Sequence, residues 1–463
     1  MKELNFDGEL TLRKMLGMVI RLSIPTILAE LTTVLMEYID AAMVGSLGAN
    51  STAAIGLVST TTWLIGGLSL AASTGFSVQV AQLVGAKRDG DVRNVVRQGM
   101  MFVVLFGIAL MMIAVAISGS LPGWLGGAEE IRGDAAVYFR IYALFLPVMQ
   151  LRYISGAMLQ CSGDMKTPSE LNILLCVLDV IFNFFLIFPT RQIDIFGSAV
   201  TVPGAGLGVA GAALGTVFAE LAVTGSMLYA LCVRSPQLAF RYGGRWRFER
   251  SCMRTAARIA IPSAFEHSIM CGAYLVATII VAPLGTVSIA ANSLAITAES
   301  LCYMPGYGIG AAATTLVGQS IGAGRRDAAA RFARASVLLG IGIMAFMGVI
   351  MYITAPAMFR VLTTSEEVRR LGVSVLRIEA FAEPLYAASI VCAGAMRGAG
   401  DTLVPGVLSL ISMWGFRICP AIALVRIFGL RGFWMAMCGE LCLRGVLFLI
   451  RLLRGRWLKR EII

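Results

Sequence analysis

Charge is scarce in this chain: Asp, Glu, Lys and Arg make up 14% of its 463 residues, against about a quarter in an ordinary soluble protein. Hydrophobic residues reach 58% and the mean hydropathy is +0.81, so a water-soluble enzyme is excluded and a membrane is the fitting solvent. Histidine is nearly absent, with His267 alone, which removes a histidine-based zinc site. The ten cysteines are scattered, mostly within apolar runs, and form no C-x-x-C pair. They read as small helix-packing residues rather than a disulfide framework. A G-x-x-x-x-G-K-[ST] phosphate loop and a G-x-S-x-G nucleophile turn are both missing, which argues against an ATP-driven pump and against an enzyme. The first fifteen residues are polar, and the first apolar run is long and carries carboxylates; this is the pattern of an uncleaved first helix rather than a signal peptide.

What is abundant is apolar length. Runs of roughly 20 to 30 residues recur between short polar breaks, and a helix needs about 20 residues to cross ~30 Å of hydrocarbon. Twelve spans are expected, near 18–44, 52–84, 92–119, 131–159, 168–188, 207–234, 256–283, 288–321, 330–358, 366–395, 404–426 and 430–454. The runs are continuous rather than alternating, so the expected fold is an all-α integral membrane protein with twelve transmembrane helices, not a barrel.

The net charge of +11 does not point to nucleic acid, because the cations fall in alternate loops beside the spans. One side holds Lys2, Arg13 and Lys14, then Lys87, Arg88, Arg93 and Arg97, then Arg241, Arg245, Arg247, Arg250, Arg254 and Arg258. It also holds Arg325, Arg326, Arg331 and Arg334, and finally Arg454, Arg456, Lys459 and Arg460. The other side carries "GGAEEIRGD" and "TTSEEVRRLG". By the positive-inside rule the basic side is cytoplasmic, and both termini of a cell inner-membrane protein lie there.

The chain repeats itself. "VAQLVGAKRDGDVRNVVRQ" at 80–98 returns as "VGQSIGAGRRDAAARFARA" at 317–335, an offset of 237 residues. The same offset relates "LSIP" at 22–25 to "IAIP" at 259–262, Leu47-Gly48 to Leu284-Gly285, Pro147 to Pro384, Gly163-Asp164 to Gly400-Asp401, and Pro168 to Pro405. Beyond that the second copy is shorter, because "PTRQIDIFGSAVTVPGAG" has no long counterpart, and Glu220 faces Glu440 at an offset of 220. Two homologous six-helix lobes follow, 1–234 and 256–463, joined by a basic linker at 235–255 that serves as cytoplasmic tether. An even helix number per lobe makes the copies parallel, related by a pseudo-two-fold axis along the membrane normal, with the substrate cavity between them near the midplane.

These features resemble the multidrug and toxic compound extrusion (MATE) transporters over nearly the whole chain. The resemblance rests on "IDAAMVGSLG", "QLVGAKR", "GQSIGAGRR", "LQCSGDMKTP", "MRGAGDTLVP" and "GRW" in order. It implies secondary active export of a small, cationic, amphipathic substrate in exchange for Na⁺ or H⁺, through two lobes that rock between inward- and outward-facing states. No cofactor is implied beyond the coupling ion; membrane lipids are the expected surroundings, and a monomer is expected. A lipid-linked precursor flippase of the same broader superfamily is the alternative. It should carry further helices and a cationic cavity, whereas the intramembrane charges here are mainly acidic.

A charge at mid-bilayer costs several kcal/mol and persists only beside a partner, water or an ion, so the carboxylates are the candidates. Glu30, Glu37 and Asp40 fall within about 80° on one face of the first span. Asp40 matches the first-helix aspartate that the family uses in coupling, and the alternative is a hydrogen bond that holds the helix in place. Asp179 and Asn183, four apart in the fifth span, match positions where the family commonly has the amide first; the exchange leaves a shared site with Asp40, or a polar clasp between helices. Asp40 corresponds to Ala277 in the second lobe and Glu30 to His267, so the lobes are not chemically equivalent.

In that lobe Glu266 takes the place of a seventh-helix glutamate that binds a cation in one branch of the family. Na⁺ is accordingly expected at Asp40, Asp179, Asn183 or Glu266. Glu299 precedes "MPG" by a turn, where a broken helix would open carbonyls to an ion. Glu379 and Glu383 share a face ahead of Pro384, with Arg377 near enough for a plain salt bridge. Glu220 and Glu440 read as packing residues, the latter partnered by Arg444, and His267 as a satisfied core residue. The 24 methionines and the aromatics suit a pliable cavity.

Overall fold

The computed structural model describes residues 11–195, 198–240 and 246–459; Lys2, Arg241, Arg245 and Arg460 of the basic side lie outside the described residues. Within a bilayer each backbone N–H must be satisfied inside its own segment, and the apolar runs accordingly form helices. In chain order these are α1 Leu12–Gly45, α2 Ala49–Gly85, α3 Asp89–Ile117, α4 Leu121–Trp124, α5 Glu129–Leu144, α6 Leu146–Cys161, α7 Lys166–Ile187, α8 Gly208–Tyr229 and α9 Arg250–Val281. They continue as α10 Thr286–Gly322, α11 Arg326–Leu362, α12 Glu366–Glu379, α13 Glu383–Gly398, α14 Leu403–Ile411, α15 Cys419–Phe428 and α16 Leu430–Leu453. A π turn over Ala230–Arg234 extends α8, and another over Ser412–Ile418 joins α14 to α15.

All twelve expected spans are helical. Among the described residues, nine helices are long and apolar enough to cross a membrane; the spans beyond those nine are α10 and two that are broken. α10 is wrapped by α1, α2, α11, α12 and α13, so Gly306, Gly308, Gly310, Thr314, Thr315, Gly318 and Ser320 face protein rather than lipid. The fourth span breaks at Phe145, between α5 and α6, and the tenth between Glu379 and Glu383, between α12 and α13. Each break precedes one of the matched prolines, Pro147 and Pro384, whose ring and missing N–H interrupt the helical ladder.

One local feature was not foreseen and one local expectation fails. The stretch after the fifth span is an antiparallel hairpin, β1 Pro189–Ile195 with β2 Ser198–Ala205, paired from Ile195↔Ser198 to Pro189↔Ala205. Its alternating Ile, Val and Thr satisfy their backbone across the ladder once the chain has left the bundle. And α10 runs unbroken through Pro305, so no helix break opens beside Glu299.

The lobes join along two main seams, α1 against α10 and α2 against α9, with α2 also touching α10 and α1 touching α11. At the end bearing the basic loops, apolar clusters cross them: Met15, Val19 and Leu22 pack with Ile309, Ala313 and Leu316, and Phe76 and Val80 belong with Cys252 and Ala256. At the opposite end each lobe keeps its own cluster, Ala54, Val58 and Phe139 in one and Ala295, Phe359 and Trp434 in the other. The apolar clusters shared by the two lobes therefore lie at the basic end, while farther along the α1–α10 seam Tyr38 still reaches Thr297.

The duplicated exit motif sits at that junction. Gln82 Nε2 donates to the Gly398 carbonyl at 3.1 Å, and Gln319 Nε2 donates to the Cys161 carbonyl at 2.9 Å. Gly85 and Gly322 permit the approach, since a side chain at either would collide with the backbone of Gln319 or Gln82 respectively. These glycines thus serve close packing between lobes rather than the turn that their sequence context suggests. The turn falls two residues later, at Lys87 (φ 56°) and at its equivalent Gly324 (φ 74°).

Candidate functional site

Asp179 and Asn183 lie one turn apart on α7, which packs against α1. Asn183 Nδ2 donates to Asp40 Oδ1 and to Asp179 Oδ2, each at 3.0 Å. One neutral amide thus uses both hydrogens to hold carboxylates from two helices, and it cannot offset their charge. Asp179 and Asn183 are fully buried, and among the described residues Asp179 Oδ1 and Asn183 Oδ1 have no hydrogen-bond partner. Hard oxygen donors in such a place suit a proton or a monovalent cation. Farther along the same face of α1, Glu30 is half-buried and Glu37 is exposed.

The second lobe gathers its acids at the α12–α13 break. Glu379 closes α12 and Glu383 opens α13; both are 1% exposed, the carboxylate oxygens of Glu379 lack a hydrogen-bond partner among the described residues, and Glu383 has only the weakly polar Cys302 thiol beside it. Glu299 of α10, also buried, stands within electrostatic range of the pair. Arg377 does not neutralise them: its Nε donates to the Tyr352 carbonyl at 3.3 Å and its guanidinium lies 5.0 Å from the Tyr352 ring. Glu266 stands apart, half-buried on α9 beside Gly406 of α14. His267 packs against Gly67 of α2 across the seam. Among the described residues no group of three or more His, Cys, Asp or Glu side chains is placed to chelate a metal ion.

The MatE family model matches residues 25–185 and again 262–422, two copies at the same 237-residue offset as the sequence repeat. The chain belongs to the MatE family. It is 25% identical over 452 residues to "Probable multidrug resistance protein NorM" of Thermotoga maritima, covering 96% of this chain and 93% of that protein. Two solved structures share its fold. A MATE transporter in complex with MaL6 has a TM-score of 0.88 at 20% identity, covering 96% of this chain and 98% of that one. An outward-facing multidrug resistance MATE family transporter of the MOP superfamily has a TM-score of 0.87 at 20% identity, covering 96% and 97%.

As a MATE transporter the protein has buried ion pairs of which two sets, at Glu440 and Glu220, were caught from sequence only in part. Glu440 of α16 does pair with Arg444, at 3.0 Å, but Arg417 joins it through Nη2 at 2.8 Å. Arg417 comes from the π turn between α14 and α15, and the widened helix there sets its side chain toward α16. In the first lobe Glu220 of α8 accepts from Arg152 Nε of α6 at 2.5 Å. Both Glu residues are thereby spoken for structurally, unlike the acids at Asp179, Glu379 and Glu383.

Aromatic residues were also unassigned from sequence, where nothing separates lipid-facing from cavity-facing rings. Trp63 of α2 meets Tyr274 of α9 edge-on across the seam, centroids 6.2 Å apart, and both are exposed. Tyr303 of α10 contacts Tyr307 and Tyr386 at 5.9 and 5.6 Å and lies within electrostatic range of Glu37 and Glu299. These rings join the α1 acids to those of the second lobe. Six of the ten cysteines are buried among the helices, and Cys419 is exposed.

Proposed function

We propose that the protein exports organic cations, drugs or related metabolites in exchange for Na⁺ or H⁺, by rocking its two lobes. One observation carries this reading: a single amide, Asn183, holds Asp40 and Asp179 while leaving two buried oxygens unpartnered among the described residues, in lobes whose shared apolar clusters lie at one end. The positive-inside pattern puts the closed, basic end in the cytoplasm with both termini, so the cleft between the lobes opens outward in this state. The MatE membership and the relatives' multidrug description support a small-molecule substrate. The aromatic edge of the cleft and its acids favour a cationic one.

Exchange follows from competition. A proton or Na⁺ arriving from outside neutralises Asp40 with Asp179, or the Glu266 and Glu299–Glu379–Glu383 side, and removes the charge that retains the substrate cation. The neutralised and charged sites must favour different lobe arrangements for the cycle to turn. The protein is taken to act as a monomer. Export of a fluorescent organic cation from proteoliposomes, with Na⁺ and pH gradients imposed separately, tests the reading. Saturable uphill export under one of the gradients supports it, and equal leakage with neither gradient refutes it.

A further inference from the structure

At the basic end, where α1 leaves the lobe junction, α1, the start of α7 and the end of α8 border a hollow of ≈520 Å³ whose walls include Arg21, Leu22, Lys166 and Arg234. Its carboxylates are already engaged: Glu170 answers Lys166 at 3.4 Å, and Asp164 Oδ1 accepts the Thr167 N–H at 3.1 Å. Arg21 and Arg234 are exposed and have no ion-pair or hydrogen-bond partner among the described residues. A second hollow of ≈490 Å³ shares Thr167, Ala230 and Arg234 with the first and runs between α7 and α8 past Leu171, Ala222 and Gly225. Leu171 lies deeper in its helix and Ala222 precedes the end of its own, so this branch leads from the charged end toward the bilayer interior. Together they form one trough, cationic at the membrane surface and lined within by Leu171 and the small residues Ala222, Gly225, Ser226 and Ala230.

We propose that this trough binds an anionic phospholipid from the leaflet that borders the basic end, its phosphodiester between Arg21 and Arg234 and an acyl chain along the α7–α8 groove. Guanidinium forks match phosphate oxygens two at a time, and basic pockets between transmembrane helices at this depth are suited to anionic headgroups. A soluble phosphate would satisfy the arginines but leave the apolar branch unfilled. A zwitterionic lipid would fill that branch while bringing its own cation to a site that already has two.

Purified full-length protein in detergent, titrated with phosphatidylglycerol, phosphatidylcholine or inorganic phosphate, tests this through the rise in unfolding temperature and through lipids retained in native mass spectra. Phosphatidylglycerol is expected to stabilise the wild type and remain bound, and the other two to do so weakly. The double variant Arg21→Gln/Arg234→Gln should bind phosphatidylglycerol at least about tenfold more weakly, since each interfacial cation contributes roughly a factor of five. Arg21→Lys/Arg234→Lys should recover much of the loss. The matched control Arg254→Gln/Arg258→Gln, which removes two exposed cations of α9 outside the trough, should behave as wild type. Equal stabilisation by phosphatidylcholine, saturation by phosphate alone, or an undiminished response of the Arg21/Arg234 variant would each overturn the assignment.

Discussion

Gln82 and Gln319 stand 237 residues apart and each donates its side-chain amide to a backbone carbonyl of the opposite lobe, Gly398 at 3.1 Å and Cys161 at 2.9 Å. The acceptors are themselves 237 residues apart, so the pair is a symmetric clasp about the pseudo-two-fold axis. If the lobes rock, this clasp must open.

Removing one amide should therefore shift the lobes toward opening at the basic end. A single such hydrogen bond contributes about 1 kcal/mol, or roughly fivefold in population. Spin labels at Lys87 and Gly324, equivalent exposed positions beside the clasp, report the distance in a background lacking the native cysteines. Gln82→Ala should enlarge the longer-distance fraction, and Gly322→Val should do so more strongly, because its side chain has no room in the closed state.

The Asp40–Asn183–Asp179 arrangement predicts a rescue. Asp179→Asn removes one of the two carboxylates and should lower uphill export at least about tenfold. Asp179→Asn/Asn183→Asp exchanges the two groups into the order common in the family and should regain a substantial part of it. Initial export rates in proteoliposomes at matched protein content measure both; a double variant no better than the single would place the requirement on position 179 alone.

Buried acids with and without partners should differ in stability. Glu440→Gln strands Arg417 and Arg444 in the interior and should cost about 3 to 5 kcal/mol. Glu379→Gln and Glu383→Gln remove charges that form no salt bridge among the described residues, with Arg417 only within electrostatic range of Glu379, so the unfolding temperature should fall much less than for Glu440→Gln while coupled export falls. Thermal unfolding in detergent, alongside transport, separates the two classes.

Trp63→Ala should weaken a cationic substrate by about 0.5 to 2 kcal/mol, roughly two- to thirtyfold in half-saturation. An uncharged analogue of similar shape should be affected less. Equal losses for both would make Trp63 a packing residue of the α2–α9 seam.

The fold was largely legible in the sequence, and for a physical reason. A bilayer enforces helix length, and a duplication with constant register writes the lobes twice. The breaks at Phe145 and before Glu383 fall beside Pro147 and Pro384, although the fourth and tenth spans read as continuous in the sequence. The site was legible only in chemistry. That Asp40, Asp179 and Asn183 converge could be expected from the resemblance, but that Glu379 and Glu383 avoid Arg377 depends on which way α12 turns beside α11, which spacing does not encode. Arg152 and Arg417 escaped because their partners lie 68 and 23 residues away on other helices. Gly85 and Gly322 looked like turn residues because packing partners across a seam leave no local pattern.

The central claim is that carboxylates of this bundle couple an ion gradient to export. It is tested most directly by uphill export of a fluorescent organic cation from proteoliposomes containing wild type, Asp40→Asn, Glu266→Gln or Glu379→Gln, with Na⁺ and pH gradients imposed one at a time. Wild type should accumulate substrate against its gradient under one of the two. Asp40→Asn should bind the substrate yet lose gradient-driven accumulation, with a loss in at least one of the second-lobe variants. Wild-type accumulation in all three variants would contradict the account.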